Sequence, residues 1–195
     1  MSDTPHPHAW IKPVPNILTV LRIVAAFLLP IAAAVWRLPL VLFAGISDWL
    51  DGYLARRFDA QTKLGALLDG VADKLFVLSA VITFVGTGDI PLWQGAVLMA
   101  RDITVGCIAA YAVFTRAWHA FGHMEARLPG KLTTALVIPW FATLLIPAVE
   151  PARTPLFVLA ALASVTAAVD YALQLRRKVH EVRSAEGAGR APEAV

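Results

Sequence analysis

The chain has 195 residues, of which 58% are hydrophobic and 16% charged, and its mean hydropathy is +0.65. A soluble domain carries roughly a quarter charged residues, so this composition excludes a soluble globule and a disordered chain. The formal charge of +3 is too small for a nucleic-acid binder, and the single cysteine, Cys107, excludes an internal disulfide or a cysteine-based zinc site.

In chain order, residues 1–15, with His6, His8, Trp10 and Lys12, read as a short N-terminal interfacial segment. Neither a basic leader nor a small-residue cleavage site marks it as a cleavable signal peptide. Six apolar segments follow, at 16–36, 38–56, 64–86, 91–115, 132–149 and 155–176, each near the length that crosses a bilayer as a helix. Asn16 is placed as the N-cap of the first. Residues 16–178 are therefore expected as an all-α membrane bundle of six transmembrane helices. Residues 179–195, polar and rich in Gly and Ala, are expected as a disordered tail.

The connecting segments differ in charge. Lys12, Arg56, Arg57, Lys63, Arg116, Arg127, Lys131, Arg176, Arg177, Lys178, Arg183 and Arg190 fall on one side, against only Arg37 and Arg153 on the other. The positive-inside rule then puts both termini in the cytoplasm of a cytoplasmic-membrane protein. Trp36, Trp93, Trp118 and Trp140 mostly fall near predicted span ends, consistent with interfacial belts, and Cys107 is expected to be a buried small apolar residue. His119 and His123 read as a solvated loop pair.

The second and third segments carry four aspartates, Asp48, Asp51, Asp69 and Asp73. An acidic residue at a membrane-helix centre costs about 2.5–3.5 kcal/mol, so four together demand compensation. Asp48 and Asp51 share one face of a helix with Gly52 and Ala55 beside them, and Gly65, Asp69 and Asp73 advance by four along one stripe of the next. Joined by a short loop, the two helices are antiparallel neighbours whose acidic faces converge near the cytoplasmic surface. Hard oxygen ligands favour Mg²⁺ or Mn²⁺, and four aspartates suffice to bridge two such ions. Gly52, Ala55 and Gly65 leave room for a bulky ligand, and Arg56 supplies charge to a phosphate. The alternatives are a helix-stabilising ion-pair network with Arg22, Arg56, Lys74 and Arg101, or the proton path of a small cation or proton transporter.

The pattern Asp48-x2-Asp51-Gly52-x2-Ala55-Arg56-x8-Gly65-x3-Asp69-x3-Asp73 resembles the signature of the CDP-alcohol phosphatidyltransferases, position for position. That resemblance implies transfer of a phosphatidyl group from a CDP-linked lipid such as CDP-diacylglycerol to an alcohol, releasing CMP, with two divalent ions. It implies that Asp48, Asp51 and Asp69 hold one ion and that Asp73 joins at the second and takes the acceptor's proton. It assigns Gly52, Ala55, Arg56 and Gly65 to the cytidine and diphosphate, and it implies a homodimer in the lipid bilayer.

Pro15-Asn16-Ile17-Leu18-Thr19-Val20-Leu21-Arg22, Ala100-Arg101-Asp102 and Pro129-Gly130-Lys131 are similar to segments of the glycerol-type branch, although Gly70 stands where proline is usual. This branch comprises phosphatidylglycerophosphate synthases and single-domain cardiolipin synthases. It points to sn-glycerol 3-phosphate as acceptor, with phosphatidylglycerol or an inositol phosphate-type alcohol as alternatives. A compact dianion calls for cations, and Lys131 and Arg101 are the candidates, with Arg22 and Arg127 behind them. For Arg101 an ion pair with Asp102 or Asp170 is the competing assignment.

Overall fold

The computed structural model describes residues 14–57, 63–114 and 128–187. Helix α1 spans Val14–Leu28, α2 Ala34–Arg57, α3 Lys63–Gly86, α4 Leu92–Leu98, α5 Ala100–Phe114 and α6 Leu128–Leu145. A 3₁₀ stretch at Pro147–Ala152 leads into α7, Arg153–Gly187. Among the described residues every element is helical, as the apolar segments predict. The stretch before residue 14, Trp118, His119, His123 and the last eight residues lie outside the described ones.

Helix α1 starts earlier than expected. Pro15 suits a first helical turn because its fixed φ is helical and its missing N–H has no partner there to lose. Asn16 therefore lies inside that turn and is not the N-cap.

The described residues form two compact units, the first drawn from 14–91 and 137–153, the second from 92–136 and 154–187. In the first, α1 packs against α3 and α2. Ala25, Ala26, Ala72 and Ala80 are buried, and small residues of this kind let helix backbones approach closely. The hydroxyl of buried Ser79 on α3 donates to the Ala26 carbonyl of α1 at 2.5 Å, and Thr83 donates back to the Ser79 carbonyl at 2.7 Å. Gly88, at φ 79°, closes the end of α3, where the Asp89 amide donates to the Phe84 carbonyl. Only a residue without a Cβ adopts that left-handed conformation freely.

Gly45 of α2 faces Ile138 of α6. A Cβ at position 45 would meet the Ile138 Cγ2 at 2.7 Å, and a methyl attached to Cβ cannot swing aside as a long side-chain end does. Gly45→Ala is expected to destabilise by about 1–3 kcal/mol through overpacking. Thermal unfolding in detergent checks this, and Gly70→Ala serves as the control because nothing lies within 4 Å of a Cβ there.

In the second unit the segment 91–115, expected as one helix, is two. The break falls at Met99, between α4 and α5. Buried Ser164 of α7 bridges it, donating to the Leu98 carbonyl at 2.8 Å and accepting from the Arg101 amide at 3.3 Å. A broken helix persists in an apolar setting when a hydroxyl takes up the backbone groups it releases. Nearby, Trp93 meets Phe157 edge-on at 5.6 Å.

Helix α7 continues to Gly187, so residues 179–187, expected in a disordered tail, are helical. Their sequence lacks the proline that would break a helix. Residues 147–177 form the one described helical segment long and apolar enough to cross a bilayer, with shorter apolar helices at 16–28 and 132–145.

Large apolar side chains cover the outside: Phe27 is 70% exposed, Ile31 80% and Val35 74%. Trp36 and Trp93 are exposed as interfacial residues would be, but Trp140 is 1% exposed and packs at a tilt on Phe141 inside the first unit. Cys107 is exposed, not buried. It follows Ile103 by one turn of α5 on the same outward face.

Candidate active site

Arg22 occupies the middle of α1 as its one charged residue, and its side chain is wholly buried. Charge buried this completely requires partners, and the four aspartates supply them. Nη1 donates to Oδ1 of Asp69 at 2.8 Å and of Asp73 at 3.1 Å, and lies 3.5 Å from Oδ1 of Asp48. Nη2 donates to Oδ2 of Asp51 at 2.5 Å. Nε donates to Ser47 Oγ at 3.2 Å, and that hydroxyl donates to the Ala44 carbonyl one turn back.

Three helices thus meet at one guanidinium. Asp48 and Asp51 come from α2, three residues apart, and Asp69 and Asp73 from α3, four apart, as helical spacing requires. The cluster has a closed and an open side. Asp51 is 4% exposed, whereas Asp48, Asp69 and Asp73 are 31%, 38% and 24% exposed. A ligand can therefore reach three of the four carboxylates directly.

Charge decides what such a cluster can hold. Four carboxylates and one guanidinium leave three formal negative charges without compensation among these five side chains. Asp48, Asp51 and Asp69 each offer an oxygen, and these atoms lie within 4.8 Å of one another. An all-oxygen anionic donor set of this spacing fits a hard divalent cation. The donor set fits Mg²⁺ or Mn²⁺, with Asp73 one turn further along α3.

The remaining sequence-predicted residues distribute as follows. Gly52, Ala55 and Arg56 lie in the last turns of α2, with the side chains of Ala55 and Arg56 outside the described ones. Gly65 lies in the first turn of α3, one turn before Asp69. Arg101, in the second unit, pairs with Asp102 at 3.0 Å and donates to Thr134 Oγ1 at 3.2 Å. Asp170 accepts from Gln174 at 2.8 Å. Lys74 is exposed. Lys131 lies in α6 with its side chain outside the described ones, as is the whole of Arg127.

Ser47 was not foreseen. A serine beside the first aspartate, on a helix facing a buried arginine, is the signal that could have identified it. Arg22 is expected behind the acceptor pocket or, in the alternative, in an ion-pair network with the aspartates, and the structure shows it pairing with all four.

Residues 12–171 match the CDP-alcohol phosphatidyltransferase family. The chain belongs to this family. The family is membrane-embedded, which accords with the apolar exterior. Among its relatives is a Mycobacterium tuberculosis protein named a probable phosphatidylglycerophosphate synthase, 33% identical over 86% of this chain and 84% of its own length. The CDP-diacylglycerol–glycerol-3-phosphate 3-phosphatidyltransferase of Pseudomonas fluorescens is 40% identical over 49% of this chain and 53% of its own length. A cardiolipin synthase (CMP-forming) of Streptomyces coelicolor is 33% identical over 57% and 50%. With the latter two, the match spans about half of the relative's length.

Proposed function

We propose that this family member transfers a phosphatidyl group from CDP-diacylglycerol to sn-glycerol 3-phosphate, forming phosphatidylglycerophosphate and releasing CMP. The observation that carries this reading is the convergence of Asp48, Asp51, Asp69 and Asp73 in one half-open, net-anionic cluster. The relative aligned over 84% of its length, named for phosphatidylglycerophosphate synthesis, supports the acceptor.

In this reading the four aspartates hold two divalent ions, Mg²⁺ or Mn²⁺. The bound ions supply neutralisation of the diphosphate and polarisation of the attacked phosphorus. Gly52, Ala55, Arg56 and Gly65 receive the cytidine and diphosphate, where small residues admit the ligand and the guanidinium pairs with phosphate oxygens. The acceptor hydroxyl oxygen bonds to the phosphorus that carries diacylglycerol, its proton passes to the Asp73 carboxylate, and the bond to CMP breaks with its electron pair leaving on CMP. Lys131 and Arg101 bind the acceptor phosphate, with Arg22 and Arg127 behind them. Six membrane spans, cytoplasmic termini and a cytoplasmic-side site complete the proposal, supported by the charge asymmetry of the loops. A homodimer follows from the resemblance alone.

The second reading has phosphatidylglycerol as acceptor and cardiolipin as product, favoured by the relative named cardiolipin synthase (CMP-forming). An inositol phosphate-type acceptor ranks behind both, and family membership favours phosphatidyl transfer over cation or proton transport.

An acceptor panel separates these readings. Purified protein with CDP-diacylglycerol and Mn²⁺ is expected to release CMP with glycerol 3-phosphate and to leave phosphatidylglycerophosphate as the lipid product. Turnover with phosphatidylglycerol alone would replace this acceptor by the second. Lys131→Ala is expected to raise the KM for glycerol 3-phosphate about tenfold or more, by loss of a charge-assisted bond. An unchanged KM would remove Lys131 from the acceptor pocket.

A further inference from the structure

Arg22 is a cation that the proposed transfer chemistry does not by itself require at the centre of a metal-binding carboxylate cluster. Its Nη1 reaches Oδ1 of Asp69, Asp73 and Asp48 at 2.8, 3.1 and 3.5 Å. Two of those three residues, Asp48 and Asp69, belong with Asp51 to the set whose oxygens lie close enough together to share one ion. The guanidinium and a divalent cation therefore draw on the same carboxylates. They differ in how they are held. Arg22 is anchored on its far side, through Nε to Ser47 and through Nη2 to the deeply buried Asp51, while Nη1 points to the three partly exposed carboxylates.

From this asymmetry we infer that Arg22 is an internal competing cation. It keeps the four carboxylates together, and divalent metal binds by exchanging with its Nη1 contacts while the Nε and Nη2 contacts persist. Arg22 is thus a positioning residue that sets metal affinity, and the inference rests on the divalent-metal reading above. It has a consequence for the acceptor as well. Nη1 hydrogens released by the exchange become donors for an anionic substrate oxygen, which joins the hub position of Arg22 to its assignment behind the acceptor pocket.

The competition has a definite sign. Removing a positive charge a few ångströms from a bound dication strengthens that dication's attraction to the site. Removing the same charge without metal leaves four carboxylates facing one another, which destabilises the fold. Loss of a purely structural arginine would lower stability alike with and without metal, and loss of one that served only to shape the site would lower metal affinity.

Mn²⁺ binding to full-length protein in detergent, read by electron paramagnetic resonance without lipid substrate, tests this alongside thermal unfolding. Arg22→Gln is expected to tighten Mn²⁺ binding on the order of tenfold, to lower the metal-free unfolding temperature, and to recover most of that loss on Mn²⁺ addition. Arg22→Lys, which keeps the charge, is expected to bind Mn²⁺ much as wild type does. Should Arg22→Gln fail to fold, Ser47→Ala removes the Nε anchor and leaves every charge in place, and it is expected to tighten Mn²⁺ binding a few-fold. Unchanged or weaker Mn²⁺ binding in Arg22→Gln, or in Ser47→Ala where only that variant folds, would overturn the inference and leave the transferase reading standing. A wild-type protein that binds no Mn²⁺ would overturn both.

Discussion

Asp73→Asn is expected to lower CMP release at least about a hundredfold, the lower bound for loss of a positioned general base, while the protein stays folded. The amide keeps the size of the side chain and an oxygen able to accept from Arg22 Nη1, the contact Asp73 makes at 3.1 Å. It also removes one negative charge from a cluster that carries three in excess, so the fold loses little. Turnover with glycerol 3-phosphate and the unfolding temperature check the two halves separately. Activity within a few-fold of wild type would remove Asp73 from proton transfer.

Trp140→Ala is expected to cost about 3–5 kcal/mol, the range for truncating a fully buried aromatic. Trp140 is 1% exposed, lies 5.2 Å from the Phe141 ring, and through it joins a stack in which Phe84 and Phe141 are 5.3 Å apart and 18° from parallel. In a membrane protein the loss comes chiefly from packing, because lipid chains are as apolar as the ring's neighbours. Trp36→Ala, at a residue 64% exposed, is expected to change stability little. Equal unfolding temperatures for the two variants would contradict the burial assigned to Trp140.

The contrast between these tryptophans marks a limit of sequence reading in an apolar chain. A soluble protein sorts apolar side chains inward, so pattern reveals the core. Here both the inside and the outside are apolar, and Trp140 reads the same whether it faces lipid or Phe141. The polar minority is far more legible. Four aspartates in apolar helices are expensive enough that their spacing alone pointed to one convergent cluster, and Arg22 holds all four within 3.5 Å. Arg22 was legible only as one of four candidate partners for the aspartates, because it is 25 residues from Ser47 and 51 from Asp73 along the chain, and only the packing of α1 on α2 and α3 singles it out as the hub. The break at Met99 was hidden for a similar reason. No proline or glycine announces it, and the hydroxyl that stabilises it belongs to Ser164, on another helix.

The aspartate cluster is proposed as a divalent-metal phosphatidyl-transfer centre. Its most direct measurement is CMP release from CDP-diacylglycerol and glycerol 3-phosphate by the purified protein, before and after chelation and on adding back Mn²⁺ or Mg²⁺. The cluster's uncompensated charge predicts turnover that chelation abolishes and divalent ion restores, and that Asp69→Asn lacks at every metal concentration near the wild-type optimum. Turnover that survives chelation, or an Asp69→Asn protein as active as wild type, would contradict it.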